Sequence, residues 1–204
     1  MAIKDRKERD KLDRQKLIIA SATKLFLEQG YDKTSIRNIA DDIEYSPATI
    51  YLYFKEKDEI FFIIHEQGFA LLHQEFQPLL EIANSLERLH ALGSTYINFA
   101  LNNPDYYDLM FIMRAPLGQI ACHDKWDAGD HAFQFLLNTV QECLDQKLIV
   151  PGDVNVIAVT VWSFAHGLVS LHIRERFKSM GIGSDSDGEI LKHAMNYFIK
   201  NLAH

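Results

Sequence analysis

Cysteine is scarce in this chain of 204 residues: Cys122 and Cys143 are the only two, too few for a disulfide framework and without the paired spacing of a thiolate zinc site. Proline occurs five times and acts as punctuation. No uncharged apolar run is taken to approach 18 residues, so no membrane-spanning helix and no membrane partner are expected. The first residues, MAIKDRKERDKLDRQ, are charged where a signal peptide would be apolar, which predicts a cytoplasmic protein. A glycine-rich phosphate loop, a nucleophile elbow and a paired-carboxylate motif are all missing, and HExxH and Cys-x-x-Cys spacings are missing too. The expectation is therefore no enzyme, no cofactor and no metal site, although Cys122 with His123 and the scattered His65, His73, His90 and His131 could converge in space. What remains is 48% hydrophobic and 24% charged residues, the composition of a folded soluble protein of one domain, or of a small module on a larger one.

The net charge of −7 is unevenly placed. Residues 1–60 hold 12 Lys and Arg against 12 Asp and Glu, whereas residues 61–204 hold 9 against 16. An acidic total does not exclude DNA binding, because recognition depends on where the cations sit. It confines any DNA contact to the N-terminal part.

Apolar periodicity reads as helix almost everywhere and nowhere as an alternating strand, giving an all-α fold of about nine helices. Ile18, Ala22, Leu25 and Phe26 share one face, and Gly30 stops the first helix. A second short segment begins near Ser35 and carries Ile36, Ile39, Ala40 and Ile43; a third begins at Ser46, an N-cap followed by Pro47 at the first helical position. A longer helix from Lys57 should end or kink at Pro78. Further helices are expected near 85–101, 104–114, 127–147, 153–177 and 187–202, with 115–126 and 181–188 as loops. The domain reading is a flexible arm over 1–10, a helix-turn-helix over 11–56 and a larger helical body over 57–204.

In the short third helix, Ile50 and Phe54 should pack inward while Pro47, Ala48, Thr49 and Leu52 or Tyr53 face out. Thr49 and Tyr51 offer hydroxyls to phosphates or base edges, and Ala48 suits a thymine methyl. In the body, Ser163, Gly167, Ser170 and Arg174 form a small-to-polar stripe, and Ile190, Ala194, Tyr197 and Phe198 form a face on the last helix. Such faces serve either a subunit contact or an internal core. Bulky side chains crowd the middle helices, and His65, Phe69, Met110, Met113, Phe133, Trp162 and His166 are candidates for a ligand pocket, with His65, Trp162 and His166 supplying polarity. Core packing is the competing role for each.

TSIRNIADDIEYSPATIYLYFKEKDEI at 34–60, preceded by ATKLFLEQGYDKTS at 22–35, resembles the DNA-binding signature of the tetracycline-repressor (TetR) family of bacterial regulators. YYDLMF at 106–111 and WSFAHG at 162–167 resemble a subgroup with a Trp, His and Gly motif in its ligand domain. The resemblance extends over residues 11–202. It implies a homodimeric transcriptional regulator, a repressor released from a palindromic double-stranded DNA operator by a small, largely apolar effector. It implies DNA contacts by Pro47, Ala48, Thr49, Tyr51, Leu52 and Tyr53, and adds Lys57 as a phosphate contact and Arg37 as a base or phosphate contact. It also implies that the last two helices pair between subunits.

Two features depart from the family pattern. Glu44 stands where Gly is usual in the turn between the second and third helices, and Asp41, Asp42 and Glu44 place three carboxylates near the DNA-facing side. The alternative function is a helical ligand-binding or scaffolding protein without operator binding.

Overall fold

The structure is a computed structural model and describes residues 2–113, 127–182 and 188–203, with only the backbone considered at 2–5 and 127–128. The expected loop at 115–126, most of the one at 181–188, and Cys122 and His123 lie outside the described residues. The elements are α1 (Ala2–Gln29), α2 (Ile36–Asp42), α3 (Pro47–Tyr51), α4 (Lys57–Phe76), a 3-10 turn (Gln77–Glu81), α5 (Ser85–Asn102) and α6 (Pro104–Tyr107). A π-helical turn (Asp108–Ile112) follows, then α7 (Asp127–Asp145), α8 (Val154–Ile173), α9 (Arg176–Ser179) and α10 (Glu189–Leu202). Among the described residues the only β pairing is one antiparallel bridge, Ile149 with Ala203. The fold is all-α.

Two boundaries differ from the periodicity. The helix expected over 153–177 stops at Ile173, because Glu175 adopts a left-handed backbone with φ 53°, and α9 starts anew beyond it. The helix expected over 104–114 changes register after Tyr107, where the Met113 N–H reaches back to the Asp108 carbonyl at 2.8 Å, a five-residue spacing. Residues 2–10, expected as an arm, continue α1, in a stretch that contains neither Gly nor Pro.

The chain divides into two compact units, Met1–Gly68 with Asp105–Trp126, and Phe69–Pro104 with Asp127–His204. In the first, Ile18, Ala22 and Phe26 of α1, Ile36, Ile39 and Ala40 of α2, Ile50 of α3, and Ile60, Phe61 and Ile64 of α4 make one core with Tyr31, Phe54 and Leu109. The rings of Phe26, Tyr31 and Phe61 meet one another with centroids 5.2–5.6 Å apart. Leu109 belongs to this core although some 45 residues separate it from Ile64. Its neighbour Met110 fits against Gly68, where an added Cβ would stand 2.5 Å from the Met110 sulfur.

In the second unit, α5 is central and packs against α7, α8 and α10. Leu89, Leu92, Ile97 and Phe99 of α5 are buried with Leu136 and Val140 of α7, Ala158, Val161, Ala165 and Val169 of α8, and Leu191, Met195 and Ile199 of α10. Arg88 is buried in this unit, ion-paired to Glu142 of α7 and donating to the Ile82 carbonyl at 3.2 Å. α8 corrects the expectation about apolar runs: Val154–Ile173 is a 20-residue helix free of Asp, Glu, Lys and Arg, within which an 18-residue stretch has mean hydropathy 1.7. It is long and apolar enough to cross a membrane by length and composition alone. Asn155, Thr160, Ser163, His166, Ser170 and His172 interrupt the run, so no stretch of unbroken apolar residues marks it in the sequence.

Candidate functional site

The helix-turn-helix is built by caps. Ser35 and Asn38 form a reciprocal capping box at the start of α2, with bonds of 3.1 and 2.9 Å. Ser46 caps α3 by accepting from the Thr49 N–H at 3.2 Å, and Pro47 occupies the first turn. Between the helices, the Tyr45 N–H bonds to the Ala40 carbonyl at 2.8 Å and the Glu44 N–H to the Asp41 carbonyl at 3.3 Å. This pair of bonds closes α2 with a left-handed residue, and Glu44 takes that role at φ 58°. The left-handed position where the family usually has Gly is therefore kept by a residue with a Cβ, at a cost of roughly 1–2 kcal/mol relative to glycine.

With the turn closed this way, α3 presents only part of the surface that its pattern predicts, and Tyr51 joins it. Ile50 and Phe54 are buried, Ala48 is exposed, Tyr51 is 56% exposed and Leu52 78% exposed. Pro47, Thr49 and Tyr53 are half-buried; the Thr49 hydroxyl lies 2.9 Å from that of Ser46, and the Tyr53 hydroxyl accepts from Arg14 of α1 at 3.3 Å. Arg37 on α2 stands in solvent with Asp41 one turn away at 3.9 Å. Lys57 is turned inward: its Nζ donates to the Tyr31 carbonyl at 2.7 Å and sits 3.9 Å above the Tyr31 ring centre, and burial lowers its pKa. The three nearby carboxylates are not equivalent. Asp42 is held by α1, accepting from Ser21 at 2.8 Å and from Lys24 at 2.7 Å, and these two bonds lower its pKa. Asp41 pairs weakly with Arg37, while Glu44 is exposed.

The seven residues named for a pocket fall into both units. In the first unit, His65 is buried beside Phe61, with burial lowering its pKa against the opposing hydrogen bond of the Met110 backbone. Met110 is buried there and Met113 packs on the same core. In the second, Trp162 lies 6.0 Å from Phe133 and 6.2 Å from His166, ring centre to ring centre, and Phe69 is buried. His166 Nδ1 is 3.2 Å from the Tyr96 hydroxyl, and burial, then the charge of Arg174, lowers its pKa. The pairing of Tyr96 with His166 needs two helices brought together and has no local signal in the sequence.

Of the proposed subunit-contact residues, Ser163, Arg174 and Tyr197 are exposed, and Gly167, Ser170, Ile190, Ala194 and Phe198 are half-buried. Among the described residues, no side chain and no backbone beyond the neighbouring turns of α8 lies within 4 Å of where a Cβ on Gly167 would be. Phe198 stacks on Phe164 within the chain, with centroids 4.3 Å apart. The same part of α8 also exposes Val156, Val159 and Leu171, which the small-residue stripe did not single out.

Capped short helices joined by a tight left-handed turn, with an outward third helix and an all-helical body in the same chain, define the helix-turn-helix regulators of bacteria. Residues 18–64 match the family described as bacterial regulatory proteins, tetR family, and residues 89–196, more than half of the chain, match the tetracyclin repressor-like C-terminal domain. The chain belongs to the tetR family. It is 40% identical over 82 residues to the HTH-type transcriptional regulator HbdR of Aromatoleum sp. (strain CIB), a match covering 39% of this chain and 36% of HbdR. Its fold is similar to that of the TetR family regulator PfmR from Thermus thermophilus, with TM-score 0.70, 21% identity, and 92% and 99% of the two chains covered. It is also similar to that of the transcriptional regulator FadR from Bacillus subtilis, solved in complex with stearoyl-CoA, with TM-score 0.71, 17% identity, and 91% and 97% covered.

Proposed function

We propose that this protein is a homodimeric transcriptional repressor that works in the cytoplasm and leaves a palindromic operator when a small, largely apolar effector binds. The observation that carries the reading is the surface of α3: Ala48, Tyr51 and Leu52 face solvent on a helix whose two core anchors, Ile50 and Phe54, are buried. A five-residue helix that exposes a leucine and a tyrosine beside a capped turn is built to be covered by something else. Residues 11–56 act as the DNA-binding domain, 57–204 as the ligand and dimer body, and 1–10 as an arm toward the backbone. Arg37, Pro47, Ala48, Thr49, Tyr51, Leu52 and Tyr53 meet the groove or its phosphates. Lys57 contributes mainly by holding the Gly30–Tyr31 turn against α4.

The exposed apolar side chains of α8 together with the open space at Gly167 support pairing of the last long helices between two copies. Phe133, Trp162, His166 and Tyr96 supply an aromatic wall with three hydrogen-bonding groups for the effector, and the WSFAHG motif supports membership of the Trp-His-Gly subgroup. An acyl-tailed effector fits this wall, in line with the stearoyl-CoA bound by FadR. The protein has no catalytic role in this reading.

Footprinting on DNA upstream of its own gene tests the proposal. Protection of a two-fold symmetric site is expected, lost in Ala48→Glu, whose carboxylate would face the groove. Arg37→Ala should reduce the salt dependence of binding by about one counterion. Sequence-independent binding that both variants leave unchanged would assign the head another role.

A further inference from the structure

Two histidines far apart in the chain meet in the second unit. His73 on α4 and His131 on α7 have ring centroids 5.6 Å apart, tilted by 39°. One turn further along each helix, the buried rings of Phe76 and Phe135 lie 5.6 Å apart. Core packing therefore fixes the two backbone positions from which the imidazoles project.

The hydrogen bonding of His73 is incomplete in a specific way. Its Nε2 lies 2.9 Å from the side-chain nitrogen of Gln77, while its Nδ1 is buried and has no hydrogen-bond partner. Leaving a buried nitrogen without a partner is unfavourable. A half-turn of the Gln77 amide presents its oxygen instead, so that Nε2–H donates to it and the lone pair is left on Nδ1. This is the state in which histidine binds metals: one nitrogen ligates and the other donates to a carbonyl oxygen.

We propose that His73 and His131 form a two-imidazole binding site for a borderline divalent transition metal ion, namely Zn(II), Ni(II) or Cu(II). The separation of the rings suits it. With metal–nitrogen bonds of about 2.0–2.1 Å and ring centres about 1.1 Å beyond each nitrogen, two imidazoles on one ion at a near-tetrahedral angle have centroids about 5 Å apart. A side-chain adjustment of a few tenths of an ångström closes the difference. Imidazole nitrogen selects these ions over Mg(II) and Ca(II), which take oxygen. Among the described residues no third His, Cys, Asp or Glu joins the pair, so water or a donor atom from a bound molecule completes the coordination.

The experiment uses the full chain without a histidine tag. Calorimetric titration with zinc chloride and electron paramagnetic resonance with Cu(II) are compared for wild type, His73→Ala, His131→Asn and Gln77→Leu, with His193→Ala as a control for adventitious histidine binding. His131 is exposed, so His131→Asn leaves the fold intact and keeps the test valid if His73→Ala is destabilised. The expected result is Cu(II) coupling to two imidazole nitrogens in wild type and to fewer in either histidine variant. Zinc affinity should fall by about tenfold or more in both, and Gln77→Leu should lower it by about tenfold through loss of the orienting bond. His193→Ala should match wild type. Zinc affinity and nitrogen coupling unchanged in both histidine variants, or no binding tighter than millimolar in wild type, overturns the proposal.

Discussion

Glu44 and Asp42 show how two carboxylates in the same short turn come to do different things. Glu44 occupies the left-handed position that ends α2, and its side chain makes none of the bonds that close the turn. Glu44→Gly should therefore keep the fold and raise stability by about 1 kcal/mol, the relieved strain being partly offset by the greater freedom of unfolded glycine. Removing the charge should also tighten binding to any DNA sequence, whereas Glu44→Gln should tighten DNA binding without the gain in stability. Urea unfolding and duplex titration on both variants separate the two effects. Asp42 instead ties α2 to α1 through Ser21 and Lys24, and its pKa in the folded protein is lowered by those bonds. A carboxylate with a lowered folded pKa stabilises above its unfolded value of about 3.9, and that contribution disappears as pH falls through the folded value. Wild type should thus be more stable than Asp42→Asn at neutral pH, and the gap should close as pH drops below about 4. A constant gap across an acid titration of thermal midpoints would show that the tie does not depend on the charge.

Among the elements, α5 organises the second unit because three helices pack on it and because glycine lets one of them come close. At Gly93 an added Cβ would lie 2.8 Å from Met195 Cγ and 2.9 Å from its Cε, so α10 approaches α5 where α5 has no side chain. Gly93→Val should cost about 1–3 kcal/mol by overpacking. Met195→Ala opens a cavity by itself, yet in the double variant the valine partly fills it, so the two costs should be less than additive. A double-mutant cycle by chemical denaturation measures this coupling, and strict additivity would mean that the two helices do not meet there in solution. In the first unit the π-helical turn has a comparable organising role. It sets Leu109 into the head core and Met110 against Gly68, so a segment remote in sequence completes the helix-turn-helix unit.

At the scale of the whole molecule, α8 is out of balance between composition and burial. It carries no Asp, Glu, Lys or Arg over 20 residues, yet Val156, Val159, Trp162 and Leu171 are exposed in the single chain. Pairing two copies through this helix would remove that surface from water, and each fully covered aliphatic side chain would contribute roughly 1.5–3 kcal/mol. Gly167→Trp should leave the monomer folded, because among the described residues no side chain comes within 4 Å of a Cβ there, but should prevent the pairing. Sedimentation is expected to show a dimer for wild type and a folded monomer for the variant, with operator affinity lost in parallel. An intact dimer in the variant would move the interface to another face.

Helix placement was legible because it rests on local chemistry. Ser35, Ser46 and Pro47 mark helix starts, Gly30 marks a stop, and the spacing of Ile18, Ala22 and Phe26 or of Ile36, Ile39 and Ala40 marks the buried faces, all within a few residues of one another. The outward placement of Ala48 and Leu52 could be read for the same reason, whereas Pro47 and Thr49, expected outward with them, are half-buried. The break at Glu175 and the register change after Tyr107 could not, since neither residue is a usual breaker and the backbone there answers to packing. Lys57 read as a cation at a helix start, yet its bond to the Tyr31 carbonyl depends on the turn folding back over α4. The union of Leu109 with the head core, the Tyr96–His166 bond, the Arg88–Glu142 pair and the meeting of His73 with His131 belong to the tertiary structure alone. Each joins residues at least 45 positions apart, and a periodicity of about 3.6 residues says which face a side chain occupies but not which distant helix will cover it.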